Sequence, residues 1–343
     1  MPILKAIQIL TDSNTSEYSA PGWNTGKSRV VILILLSVIV LFRTIWLNSD
    51  AYLKVDWSAA LLTDEGFYAH NARNAVLFGT ARTDGFNNML LSPILHALQW
   101  TVFRIFGVGM VQARSISVVC SLGVLWLMFA AMRRAFDNRV GWTTVVVLGL
   151  DHTNVLYNRL GLMDTPATLP AAAAFYSFVR ASSESTARSR WLFLCGLMLC
   201  LTVATRNLCL YMLPVPFMAM WLQQRFDAKR NIETAKLNFD LSKDLKKLIF
   251  AVVVGVAAYV LVWYVPNRAE IAPTNHYYRV NQVQPHSVMH LMQNVQHAVV
   301  GDFRGVAPYL FRHTPVVFVL SLLGLARMFR SRTMINASQW YLG

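Results

Sequence analysis

The chemistry of this chain starts at Thr63-Asp64-Glu65-Gly66-Phe67-Tyr68-Ala69-His70-Asn71-Ala72-Arg73. Two adjacent acids, a histidine and an arginine stand there in a chain that has only 17 acidic residues among 343. A carboxylate of this kind can act as a general base or hold a divalent cation. Adjacent helix positions point about 100° apart, so one site rarely uses both equally. One carboxylate facing a cleft and the other facing a partner fits better. The competing structural reading is an acidic pair favoured by the helix dipole at an N-terminus.

Three further stretches carry usable groups. Asn158-Arg159-Leu160-Gly161-Leu162-Met163-Asp164-Thr165-Pro166 sets Asp164 just ahead of a proline suited to a first helical turn, where Asp164 could also serve as a cap. Thr205-Arg206-Asn207 isolates one arginine between two apolar runs. Such a guanidinium can snorkel to lipid headgroups or grip a phosphate. His276-Tyr277-Tyr278-Arg279 mixes aromatic, basic and metal-capable groups, and Thr83-Asp84-Gly85-Phe86-Asn87-Asn88 reads as a turn-rich loop. His286 and His290 have a helical metal spacing that an interfacial amphipathic helix would also produce. No P-loop, G-x-G-x-x-G, G-x-S-x-G or Cys-x-x-Cys is present, which argues against a nucleotide cofactor and for a lipid-borne activated substrate.

The elements that position these groups are hydrophobic helices. The sequence is 55% hydrophobic and 14% charged, with a mean hydropathy of +0.41. Repeated apolar runs of about 18 residues mark a polytopic all-α membrane protein. The net charge of +14 comes from arginines and lysines between the runs, the pattern of cytoplasmic loops rather than of nucleic-acid binding. Cys120, Cys195, Cys200 and Cys209 lie in apolar segments and read as core residues. Residues 1–29 form a polar cytoplasmic segment that does not fit a cleaved signal peptide.

The first crossing is Val30–Leu47. A helix capped by Thr63 and ended by Gly79 lies at the outer interface, and the short apolar run Pro93–Gly107 does the same. Crossings then follow over Ile116–Met132, Gly141–Tyr157, Pro166–Val179, Trp191–Ala204, Leu208–Leu222, Leu248–Pro266 and Pro315–Met328. This gives about eight crossings with every strongly basic loop inside. A transmembrane module therefore spans 30–266, with its first outer loop at 48–113. An outer loop covers 267–314, and a last helix with a cytoplasmic tail covers 315–343. On this topology Asp64, Glu65, Asp84, Asp164, Arg206 and most histidines gather on the outer face. His152 alone among the histidines falls within a crossing.

Taken together, Asp64 to Arg73, Asp84, Asn87-Asn88, Leu91-Ser92-Pro93-Ile94-Leu95-His96, Phe106-Gly107 and Ala113-Arg114-Ser115 resemble the GT-C glycosyltransferases. The nearest branch is the protein O-mannosyltransferase and aminoarabinose transferase superfamily. Arg159 to Asp164 and Thr205-Arg206 match further landmarks in order, so the resemblance covers about residues 30–280. It implies a GT-C-like helical bundle with interfacial helices in the first outer loop. It also implies inverting transfer of a sugar from a polyprenyl-phosphate donor to a lipid, glycan or protein acceptor at the outer face of the plasma (inner) membrane. Asp64 would be the catalytic base, with Glu65 and Asp164 as further catalytic acids. Arg206, with Arg73 and Arg279, would bind the donor phosphate. Asp64, His96 and His276 are the candidate ligands of a divalent cation, Mg, Mn or Zn. Tyr68, Asp84, Asn88, Tyr277 and Tyr278 would line the substrate loop. The resemblance is incomplete where aminoarabinose transferases carry an acid-lysine-proline motif and this chain has Leu91-Ser92-Pro93. Relatives also carry more helices, so the chain reads as a minimal member, a piece of a longer one, or a subunit that needs a partner.

Two other readings compete. A non-catalytic carrier of lipid-linked sugar, or a subunit derived from the same fold, would need no base at Asp64. A secondary transporter would need ionisable groups near mid-helix and an internal repeat, for which Asp151-His152 is the one candidate.

Overall fold

The computed structural model describes residues 26–49, 61–83, 87–230 and 241–271, together with positions 289, 292 and 319. Among these residues the secondary structure is entirely helical, as expected. Helix α1, Gly26–Thr44, is a compact unit by itself. It is apolar almost throughout, and Thr44 Oγ1 returns to the Val40 carbonyl at 2.9 Å in its last turn. The expected crossing to Leu47 stops at Thr44, and Trp46 takes a left-handed φ of 49°.

The second unit carries α2 (Leu61–Phe78), α3 (Pro93–Phe106), α4 (Met110–Ala135), α5 (Asn138–Leu150), α6 (His152–Tyr157), α7 (Asp164–Ser183), α8 (Arg188–Thr205), α9 (Val215–Arg230) and α10 (Leu241–Tyr259). One π-helical turn, Val260–Tyr264, follows α10, and the helix runs on to Ile271. Among the described residues, three helices are long and apolar enough to cross a membrane: Met110–Ala135, Arg188–Thr205 and Lys243–Ile271. At 14 residues α3 is about 21 Å long, short of the roughly 30 Å hydrocarbon core, in line with an interfacial placement.

Helices α7 and α8 form a hairpin and pack against each other more extensively than any other pair. Ala174, Phe178, Ala181, Leu192, Cys195 and Leu199 supply its buried seam. Helix α8 then meets α10 at small residues. A side chain on Gly196 would put its Cβ 2.6 Å from that of Ala251, so only glycine permits the approach. Helices α2 and α3 pack together through Ala72 and Phe103 and reach the start of α4 at Ala113. Their ends follow the sequence. Gly79 (φ 74°) follows α2 directly, and Gly107 (φ 83°) caps α3 in a conformation that disfavours other residues.

Several expectations change. Helix α2 begins at Leu61, so Thr63 lies inside it and does not cap it. The expected crossing Gly141–Tyr157 is broken at Asp151. This residue has extended backbone, ends α5 and caps α6 by accepting from the Asn154 amide at 2.9 Å. Asp151 and His152 therefore sit at the junction of two helices, not inside a crossing. Leu208–Leu222 resolves into a 3₁₀ segment, Asn207–Met212, followed by α9. Pro166 falls in the first turn of α7 as expected, but the cap is Met163 and not Asp164. The last expected crossing, Pro315–Met328, lies outside the described residues apart from position 319.

Candidate functional site

The two acids of the opening motif separate as their helical spacing requires. Glu65 is buried, with 1% of its surface exposed. Arg114, in the first turns of α4, grips it with both arms of the guanidinium, Nε to Oε1 at 2.9 Å and Nη2 to Oε2 at 2.6 Å. The Gly161 amide donates to the same carboxylate at 2.5 Å. A Cβ on Gly161 would stand 3.3 Å from that oxygen and 3.4 Å from the Ala113 Cβ, so the turn comes in close to Glu65. The remaining Arg114 nitrogen, Nη1, donates to the Leu47 and Ser49 carbonyls at 2.9 and 2.8 Å. Two isolated charges in this position would cost several kcal/mol each to desolvate, and the bidentate geometry with added hydrogen bonds is what offsets that. Glu65 thus ties α2, α4, the 46–49 segment and the 158–163 turn together. Both carboxylate oxygens of Glu65, expected among the catalytic acids, are engaged in these contacts.

Asp64, one residue earlier in the first turn of α2, is partly exposed. Among the described residues it has no hydrogen-bond or ion-pair partner. Its backbone is nevertheless fixed by the Glu65 anchor. The carboxylate therefore stands at a defined place and is available.

The turn that meets Glu65 continues into Asp164, at the start of α7. Because α7 and α8 are an antiparallel hairpin, the start of α7 lies beside the end of α8. There Arg206 has extended backbone as the C-terminal cap of α8 (φ −148°, ψ 108°). The Arg206 guanidinium forms an ion pair with the Asp164 carboxylate, the two side chains being 27% and 34% exposed. The residue before Arg206 is held as well. Ser92 Oγ, buried ahead of α3, donates to the Thr205 carbonyl at 2.5 Å. The position at which the resemblance would have a lysine thus lies against the backbone that presents Arg206. Arg159, in the same turn as Gly161, donates to the Trp46 carbonyl at 3.1 Å. Partial desolvation, and then the nearby Arg114 charge, lowers its pKa below the usual arginine value.

A cavity of about 490 Å³ opens beside Asp164 between α4, α5, α6 and α7. Asn158, Asp164 and Thr168 line its polar part, and Leu125, Met128 and Phe175 its apolar part. From Asp164 to Phe175 the α7 axis rises roughly 16 Å, so the cavity runs from the charged end of the bundle well into its apolar layer.

The other expected site residues are more scattered. Arg73 is exposed about two and a half turns beyond Asp64 and donates to Asn74 Oδ1 at 3.1 Å. Tyr68 is partly buried one turn after Asp64. The amide of Asn88 donates to the Phe67 carbonyl at 3.2 Å and so braces the loop. Asn71 organises the same loop, donating to the Ala81 carbonyl at 2.8 Å and to Asn87 Oδ1 at 3.0 Å and accepting from the Met89 amide. His96, near the start of α3, is half buried, and its Nδ1 has no hydrogen-bond partner among the described residues. Burial lowers its pKa. Asp84, His276, Tyr277, Tyr278 and Arg279 lie outside the described residues, as do His286 and His290. Among the described residues no three His, Cys, Asp or Glu side chains converge.

Two residues escaped the sequence reading. Arg114 stood in the quoted motif without a role, and Ser92 entered only as a departure from a lysine. The available signal for Arg114 was a charge one turn inside a long apolar run, where an unpaired cation is costly. Nothing in the local sequence around Ser92 points to Thr205, which is 113 positions away.

Residues 91–236 match a family model described as dolichyl-phosphate-mannose-protein mannosyltransferase. The match takes in Asp164 and Arg206 and begins after Asp64. ArnT from Cupriavidus metallidurans bound to undecaprenyl phosphate is structurally similar, with a TM-score of 0.59 at 13% identity over 92% of this chain and 53% of that one. The apo state of the same protein gives a TM-score of 0.53 at 14% identity over 92% and 58%. The chain thus spans little more than half the length of these solved structures. No protein of curated function matches it in sequence. The expected resemblance is borne out, and the fold is the all-helical membrane GT-C fold of ArnT.

Proposed function

We propose that the protein is a membrane glycosyltransferase that moves a sugar from a polyprenyl-phosphate donor to an acceptor hydroxyl at the outer face of the membrane. The observation that carries this reading is the division of labour within Asp64-Glu65. Glu65 is locked to Arg114 and Gly161, and Asp64 is thereby presented unpaired, among the described residues, near the turn that leads to Asp164 and Arg206. The family-model match and the ArnT-like fold support the donor class. The Arg133, Arg134, Arg180 and Arg188 cluster at the opposite end of the bundle supports a cytoplasmic location for that end and an outer location for the site.

In this mechanism Asp64 accepts the proton of the acceptor hydroxyl as its oxygen attacks the anomeric carbon. The bond from that carbon to the phosphate oxygen breaks with inversion. The polyprenyl phosphate leaves with the electron pair, and Arg206 stabilises the charge that develops on it. The prenyl chain enters the cavity beside Asp164. No step is assigned to a metal.

The test is sugar transfer in proteoliposomes from a panel of polyprenyl-phosphate sugars to mixed acceptors, with wild type beside Asp64→Asn and each run repeated with chelator. Turnover that is lost in the variant while donor binding persists supports the transferase and the base. Donor binding without turnover in wild type would replace this reading with that of a carrier or of a subunit awaiting its partner.

A further inference from the structure

The two buried-to-surface ion pairs of the site differ in a way that assigns them different duties. Glu65–Arg114 is almost fully buried, and opening it would strand two charges. Asp164–Arg206 is partly exposed. It joins helix ends that the α7–α8 seam already holds together, so the fold does not depend on it. A half-exposed pair of this kind contributes little to stability and is readily exchanged. Its location is also distinctive. Asp164 lines the cavity, and Arg206 is presented by backbone that Ser92 clamps.

We propose that the Asp164 carboxylate is an internal stand-in for the donor phosphate. It occupies Arg206 in the empty protein and is displaced when a polyprenyl phosphate enters. The inference rests on the reading of Arg206 as the phosphate-binding residue and adds how that site is regulated. A phosphate offers Arg206 more charge and more acceptor oxygens than one carboxylate, so the exchange runs towards the donor. The guanidinium is neutralised in both states, and its desolvation is never left unmatched. The displaced carboxylate turns free beside Asn158 and Thr165 only after the donor has arrived. Donor binding therefore precedes the release of Asp164.

The exchange makes a signature that a merely structural pair would not. Asp164→Asn removes the competitor and should tighten polyprenyl monophosphate binding about two- to fivefold, the span of a partly exposed ion pair. Arg206→Ala removes the receptor and should weaken it about tenfold or more. In the Arg206→Ala background, Asp164→Asn should add nothing, because the two act through one contact. Binding is measured on the full chain in nanodiscs with undecaprenyl monophosphate as the probe, with Asp164→Ser as a second variant should the asparagine fold poorly. Sugar transfer is followed on the same samples. Tightening in the Asp164 variants sustains the exchange, and if it occurs without sugar transfer by wild type, the exchange stands and the transferase reading falls. Unchanged or weaker binding in both Asp164 variants, with wild-type transfer intact, overturns the exchange alone. No probe binding by wild type overturns both.

Discussion

The two ends of the helical bundle carry the same kinds of side chain and use them in opposite ways. At the site end, Glu65 and Arg114 are paired with 0% and 2% of their side chains exposed, and every nitrogen of the guanidinium is engaged. At the other end, Glu184 serves Arg134 and Arg180, both at 2.6 Å, with these side chains a quarter to a third exposed. Trp191 Nε1 donates to the second Glu184 oxygen at 2.9 Å and its ring lies 4.6 Å from the Arg180 guanidinium. Arg188 reaches Asp244 at 3.5 Å nearby. The first arrangement sacrifices solvation to fix one geometry, as a site requires. The Glu184 cluster keeps its charges in contact with water, where basic residues can mark an orientation in the membrane without shaping a reaction.

This contrast can be broken by substitution. The largest effect is expected from Asp64→Asn, which should lower sugar transfer by about 10²–10⁴-fold in proteoliposomes, with unfolding unchanged. A similar loss from Arg134→Ala would mean that chemistry is not confined to the site end. Next come Glu65→Gln and Arg114→Met. Each leaves one uncompensated charge or buried polar group and should cost about 3–5 kcal/mol in stability. Thermal unfolding in detergent reads this, and Glu65→Leu combined with Arg114→Met should recover much of it. If either single change costs no more than a surface pair does, the buried lock is not what holds α2 to α4.

Smaller effects sharpen the comparison. Ser92→Ala releases the Thr205 carbonyl and should cost about 1 kcal/mol, together with weaker phosphate affinity because Arg206 loses its brace. Titration of that affinity beside unfolding separates the two consequences. Glu184→Gln should cost at most about 1 kcal/mol. Burial alone would raise the Glu184 pKa, but hydrogen bonds from Arg180 and Trp191, with the Arg134 and Arg180 charges, outweigh it and hold the carboxyl below its usual range. Its contribution is therefore full above the ordinary carboxylate pKa of about 4.3 and is lost as the pH falls through the lowered value. Unfolding followed from pH 6 down to about 3 should show a loss that the Gln variant lacks.

Particular residues show how far the sequence could be read. Gly79 and Gly107 marked the ends of α2 and α3 because only a few residues tolerate positive φ, a local constraint visible in the chain itself. Thr63 carries a capping signal, but the helix already runs through Leu61 and Leu62. Hydropathy averaged over a window carries a crossing through Asp151, while a helix break depends on one side chain reaching the Asn154 amide. The 100° separation of neighbouring helix positions foretold that Asp64 and Glu65 would part, but not which of them would be buried.

By itself, the sequence determined the helices, their apolar character, the basic loops and the order of motifs that resemble a GT-C enzyme. All of these follow from local composition and period, which lipid and water read residue by residue. Only the tertiary structure decided that Arg114 belongs to Glu65, that Gly161 closes on the same carboxylate, that Ser92 clamps Thr205, and that Arg206 meets Asp164. Each of these is a contact between helix ends 40 or more positions apart. Such pairs depend on how the α7–α8 hairpin and the α2–α4 packing bring helix ends together, and no local pattern encodes that.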